Sequence, residues 1–157
     1  MVRERLRRVD ERGFTLAELM IVMGMIGLLT LVGAPTLINY WQTATLQAGA
    51  QELAVVVSYG RQYAIAKNTS ACVIVSGTGV RFETVAAGAC TGTAISLPNT
   101  GTSNILLTNG LQVTGSTSVV FTSLGAASTA GTFTVTHPVT SKTRSVVVAA
   151  SGQVRVQ

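Results

Sequence analysis

Hydrophobic and polar positions divide this 157-residue chain into three stretches with different periods. Phe14 to Ile38 is almost continuously apolar, and no charged side chain occurs from Leu19 to Gln51. About 25 residues of this kind cross a bilayer with some tilt, so residues 14–38 are expected to form the transmembrane part of a helix. Past Trp41 the pattern becomes amphipathic. Leu46, Ala50, Leu53, Val57, Gly60 and Ala64 recur alternately every four and three residues, which makes one face of a helix. Gln47, Gln51, Ser58 and Gln62 supply polar positions elsewhere on its surface. Residues 39–68 are therefore the expected amphipathic part, ending at Asn68-Thr69-Ser70 with Asn68 as a left-handed cap. From Ala71 onward the period is two, and Thr and Val dominate between Gly, Ser and Asn. Residues 69–157 are expected to be an antiparallel β domain, and the fold class is α+β: a long N-terminal helix packed on that sheet domain.

Strands are expected at 72–75, 80–85, 94–97, 105–107, 111–113, 118–122, 132–136, 145–149 and 153–156. Residues 98–103 and 125–130 read as loops. Asn109-Gly110 is a strong hairpin turn signal. Ser151-Gly152 is a second; as a two-residue turn it would place Val147, Ala149, Val154 and Val156 on one face. In the helix, Gly24, Gly27 and Gly33 permit close helix approach while loosening the backbone. Pro35 removes one backbone donor and is expected to kink the helix or open it locally.

Charge gives this pattern a direction. The first thirteen residues carry Arg3, Arg5, Arg7, Arg8 and Arg12 against Glu4, Asp10 and Glu11. A positive flank stays on the cytoplasmic side. The N-terminus is therefore expected inside, with a single pass and the β domain outside. A secretory signal would place its cleavage site after the apolar stretch. Here the small residue, Gly13, lies before it, so the apolar segment would be retained. Glu18 is the one acid in that segment, and a carboxylate in hydrocarbon reads as a functional group awaiting a partner.

The run Gly13-Phe14-Thr15-Leu16-x-Glu18 resembles the class III signal of type IV pilins and type II secretion pseudopilins. Towards the other end, Val120-Phe121-x-x-x-Gly125, Gly131-Thr132-Phe133-Thr134-Val135, Arg144-Ser145-Val146-Val147-Val148 and Ser151-Gly152-Gln153-Val154-Arg155-Val156 are similar to the C-terminal signature of the GspH/FimT family of minor pseudopilins and pilins. The resemblance does not reach residues 70–118. It implies a pilin-like fold and removal of residues 1–13 by a prepilin peptidase, with cleavage after Gly13 and methylation of Phe14. It also implies a kink-bearing Pro35, the inner membrane as the membrane crossed, and hetero-assembly with other pilin-like subunits. In the family, the glutamate is proposed to meet the N-terminal amine of a neighbouring subunit. The same Glu18 could instead pair with the Phe14 amine of its own chain. The implied function is a structural subunit that initiates or caps a filament for type II protein secretion or a type IV pilus.

Little other chemistry is available. With the leader removed, the acids are Glu18, Glu52 and Glu83, and no two external carboxylates are spaced for acid–base work. His137, the only histidine, precedes Pro138 and reads as a surface residue. The many Ser and Thr lack a His/Asp partner set, and no phosphate-binding glycine spacing occurs. No catalytic role, cofactor or metal is expected. Cys72 and Cys90 would bridge in an oxidising compartment; as metal ligands they would lack the remaining donors of a tetrahedral site. Family members acting in DNA uptake are associated with a terminal Gly-Arg-x-Arg motif, which here reads Gly152-Gln153-Val154-Arg155. Arg155 with Lys142 and Arg144 is therefore the candidate DNA-binding set, and the alternative function is a DNA-binding minor pilin acting in natural transformation. Three phosphate contacts would give weak, salt-dependent binding.

Overall fold

The computed structural model describes residues 13–86, 89–96, 101–116 and 118–157. The chain divides between Asn39 and Tyr40 into two compact units. Helix α1 (Leu16–Ala66) contributes to both.

In the first unit the helix start is fixed by Thr15. Its Oγ1 accepts from the Glu18 amide at 3.2 Å, and its carbonyl accepts from the Leu19 amide at 3.1 Å. Thr15 and Glu18 thus have the spacing of a capping box, and one amide of the open first turn is satisfied. Side chains from Phe14 to Asn39 are exposed. The most apolar 18-residue window of the helix reaches a mean hydropathy of 2.1 and is wholly unburied, long and apolar enough to cross a membrane. Its hydroxyls are satisfied internally: Thr30 Oγ1 donates to the carbonyls of Ile26 and Gly27, and Thr36 Oγ1 to those of Val32 and Gly33. Internal satisfaction is what a polar group in an apolar helix requires where water cannot supply a partner.

In the second unit the same helix buries Leu46, Gly49, Ala50, Leu53, Val57, Gly60 and Ala64. The expected stripe is therefore the buried one, with Gly49 added. α1 closes in a Schellman arrangement: Asn68 N–H donates to Ile65 O and Thr69 N–H to Ala64 O, while Asn68 takes the left-handed cap position at φ 49°.

Two antiparallel sheets lie on this stripe. The first contains β1 (Ala71–Ser76), β2 (Gly79–Thr84), β3 (Asn104–Leu106), β5 (Ser118–Phe121) and β6 (Ala127–Thr129), in the order β3-β2-β1-β5-β6. The second contains β4 (Gln112–Gly115), β7 (Gly131–Thr136), β8 (Thr143–Val148) and β9 (Val154–Val156), in the order β4-β7-β8-β9. Glycines let the sheets approach the helix. A Cβ on Gly49 would run into Leu111 and meet Val135, against the second sheet; one on Gly60 would lie 2.8 Å from Val73 Cγ2 and 3.1 Å from the Phe82 ring, against the first. Phe82, Phe121 and Phe133 are fully buried with Leu53 and Val57 in one continuous core, and Tyr59 meets Phe82 edge-on with ring centroids 6.2 Å apart.

Several expectations change. Of the strand expected at 94–97, the described residues 94–96 form no strand; Ala94 makes a single bridge to Glu83, and residues 97–100 lie outside the described residues. The loop expected over 125–130 contains β6, which pairs with β5 at Val120↔Thr129 and Phe121↔Ala127 across a register shift. Such a short strand with exposed Ser128 and Thr129 carries no alternating signal. Asn109 and Gly110 do adopt left-handed angles, φ 60° and 65°. They do not close a hairpin, because β3 pairs with β2 while β4 pairs with β7 in the other sheet. The β8–β9 turn spans three residues, with Ala149 N–H bonded to Gln153 O. The register is Val146↔Val156 and Val148↔Val154, so these four share a face. A one-residue change in a turn moves every side chain of the partner strand to the other face.

Cys72 and Cys90 form a disulfide, with Cα atoms 5.7 Å apart. Cys72 alternates with Ala71 and Val73, which face the helix, yet it is fully buried. Cys90 covers it from the outer side, tying the excursion between β2 and Ile95 to the central strand. Closing a loop of this size stabilises a fold by roughly 3 kcal/mol on the chain-entropy model.

Gly152 supplies a stability test. It sits at φ 80°, and a Cβ there would collide with the Gly125 carbonyl oxygen; Gly77 has φ 61° but open space. Gly152→Ala is expected to destabilise the protein by roughly 2 kcal/mol or more, and Gly77→Ala by about 1 kcal/mol from backbone strain alone. Equal denaturation midpoints for the two variants would show that the close approach contributes nothing.

Candidate processing, assembly and surface sites

The N-terminal junction places its residues within one helical turn. Gly13 and Phe14 precede the helix and are exposed, Phe14 at 79 %. Thr15 caps the helix, and Glu18 stands in its first turn. A glutamate in a first turn is favoured by the helix dipole and lies one turn from the backbone nitrogen of Phe14. Were the peptide bond before Phe14 cut, that nitrogen would become an ammonium one helical turn from the carboxylate. The arrangement can therefore present a cation and an anion at one end of an apolar helix. Pro35 lies inside the helix, where it withdraws one amide from the ladder.

The described acids outside the apolar segment and His137 have structural partners. Glu52 Oε2 accepts from Thr108 Oγ1 at 2.8 Å, which holds the short 3-10 turn Thr108–Gly110 against α1. Glu83 pairs with Arg81 at 3.0 Å, two residues along the same strand face. His137 Nδ1 accepts from the amides of Val139 and Thr140 at 3.2 and 3.4 Å, so the imidazole caps the β7–β8 turn. No group of three His, Cys, Asp or Glu able to hold a metal ion occurs among the described residues.

The candidate DNA-binding set is brought together only in part. Lys142 Nζ lies 3.4 Å from Thr43 Oγ1. Arg144 lines a groove of about 410 Å³ with Tyr40, Thr43, Ala44, Gln47, Ala48 and Gln51. These two cations thus meet at the first turns of α1 in the second unit. Arg155 does not join them. Arg144 is the partner of the buried Val135 and so projects to the helix side of the sheet, whereas Arg155 pairs with Val147 on the opposite face.

Sequence reasoning missed Arg61. It lies outside the apolar stripe of α1, and its Nε donates to Gly125 O at 2.8 Å. That carbonyl is the one against which Gly152 packs. Arg61 therefore fastens the helix to the loop before β6 and to the β8–β9 turn, joining both sheets. The signal available was weak: a lone arginine among Ser, Tyr and Gln on a helix otherwise short of charge. Replacing it leaves a partly buried carbonyl unpaired, so Arg61→Met is expected to cost roughly 1–3 kcal/mol. Thermal denaturation of the full chain checks this; an unchanged midpoint would mean that the bond is idle.

The family model described as "Type II transport protein GspH" matches residues 49–152. A second, the "Prokaryotic N-terminal methylation motif", matches residues 8–34. No curated protein sequence matches significantly. Among solved structures, the chain is similar to the type IV minor pilin FimU of Pseudomonas aeruginosa, with 19% identity and TM-score 0.54 over 75% of this chain and 92% of that one. It is also similar to the minor pseudopilin EpsH of the Type 2 Secretion System of Vibrio cholerae, with 16% identity and TM-score 0.56 over 71% and 95%. GspH of E. coli gives 10% identity and TM-score 0.55 over 73% and 88%. At these identities the structures establish a shared fold, a long helix on antiparallel sheets.

Proposed function

The chain belongs to the GspH family of minor pseudopilins and pilins, and we propose that it initiates or caps a membrane-anchored filament without turning over a substrate of its own. The methylation motif over residues 8–34 implies processing by a prepilin peptidase and assembly with other pilin-like subunits. Cleavage is assigned between Gly13 and Phe14, with methylation of the new Phe14 amine. Residues 14–38 serve as the inner-membrane span, the basic leader stays cytoplasmic, and residues 69–157 lie outside.

The observation that carries this reading is the pairing of an exposed apolar helix with Glu18 in its first turn. The apolar segment has no partner within the described chain, so lipid and other subunits' helices are its natural surroundings. In such a setting an unpaired carboxylate is costly, and an ammonium from a neighbouring subunit neutralises it while setting the register between subunits. The same chemistry serves a type II secretion pseudopilus and a type IV pilus, and the assignment covers both. Each described acid outside the apolar segment, together with His137, holds a structural contact, which leaves a non-catalytic role as the economical reading. The DNA-uptake alternative has no specific observation in its favour, since Arg144 and Arg155 face opposite sides of one sheet.

Mass spectrometry of membrane-extracted protein is expected to find a chain that begins at Phe14 and carries one added methyl group. A different first residue would refute the processing assignment. Glu18→Ala is expected to leave cleavage intact and to abolish recovery of the subunit in sheared filaments. Normal incorporation of that variant would remove the proposed role of the carboxylate.

A further inference from the structure

We infer that the end of the β domain formed by Lys142, Arg144, Tyr40, Trp41 and Val139 is a docking surface for the phosphate headgroups of an anionic bilayer. This rests on the reading of residues 14–38 as the span. Thr43 follows Asn39 by four residues, about 6 Å of helix rise, so connectivity alone holds it near the end of the apolar segment. Lys142 Nζ is within 3.4 Å of the Thr43 hydroxyl, and Arg144 shares a groove with Tyr40 and Thr43. Both cations therefore lie beside the residues that directly follow the span, where the proposal puts the lipid phosphates.

The apolar content of this end suits the same partner. Tyr40 and Trp41 are 74 % and 73 % exposed, and aromatic residues of this kind settle at the headgroup level. Val139 is 78 % exposed at the tip of the turn that also carries Lys142. A second groove, between Tyr40, Trp41, Ala44, Thr45 and Ala48, is closed by Asn109, so the Thr108–Gly110 turn reaches the same end. Among the described residues no acid pairs with Lys142 or Arg144. Glu52, about two and a half turns along α1 from Thr43, is held by Thr108, and Glu83 is held by Arg81. Arg61 is engaged with Gly125. Two cations without a carboxylate partner, set among exposed aromatic and aliphatic side chains at the boundary of a span, match an anionic lipid surface. They supply charge for the phosphates and apolar area for the interface.

The test uses the full chain reconstituted in two kinds of vesicle, pure phosphatidylcholine and phosphatidylcholine with about a third phosphatidylglycerol. Two readouts are taken: quenching of Trp41, the only tryptophan, by brominated acyl chains, and the emission of an environment-sensitive dye on Val139→Cys. Trp41 is expected to be quenched in both vesicles. The dye is expected to shift to the blue only with phosphatidylglycerol. That shift should be lost in roughly 0.5 M salt, where screening acts within a few ångström. At about 1 kcal/mol for each basic residue near an anionic surface, Lys142→Gln with Arg144→Gln should weaken docking about 30-fold. The salt titration needs neither charge substitution and stands if the double substitution fails to fold. Quenched Trp41 with a dye indifferent to phosphatidylglycerol would overturn the docking surface and leave the span intact. Unquenched Trp41 would overturn the span and the docking surface together. A dye response to duplex DNA in neutral vesicles, with none to anionic lipid, would assign these cations to nucleic acid and overturn the proposal as well.

Discussion

Two sheets share one helix face, and the β domain depends on that shared contact. The stripe from Leu46 to Ala64 is narrow and small-sided. Gly49 lets Leu111, just before β4, and Val135 of one sheet come close, and Gly60 does the same for Val73 and Phe82 of the other. The strands between them are short, three to six residues, and neither sheet alone has a second apolar layer to bury its inner face. The helix supplies that layer for both. Arg61 adds a polar fastening where the sheets converge on Gly125 and Gly152, and the disulfide secures the outer face behind Cys72.

This arrangement divides the labour of α1. Its second part is committed to the β domain, while its first part is left apolar, exposed and capped by Thr15 with Glu18 in the opening turn. A helix that is hydrophobic all round belongs in a membrane or among other helices. A single acid at its start then becomes the strongest local electrostatic feature. Family membership and helix chemistry point the same way: the chain acts by being built into something. His137 and the described acids outside the apolar segment hold turns and strands.

Much of this was legible along the chain. The apolar span, the four-three stripe, the Asn68 cap and most strands follow from local periodicity, because each depends on neighbours within one or two turns or one strand. The errors lie where a single residue of length or a distant partner decides. Ser151-Gly152 signalled a turn, but three residues instead of two reversed which valines of β8 share a face with Val154 and Val156. Asn109-Gly110 took the left-handed angles its sequence demands while joining strands of different sheets. β6 exists only because β5 offers it an edge.

The sequence by itself determined the apolar segment, the buried stripe and the family, since these are written in residue type and spacing over short range. Tertiary structure alone decided the rest. It brought Lys142 and Arg144 to Thr43 and Tyr40 and turned Arg155 away. It also gave Arg61 its carbonyl partner and covered Cys72 with Cys90. Those contacts join positions as far as 99 residues apart. Their geometry depends on strand register and sheet order, which no local pattern encodes.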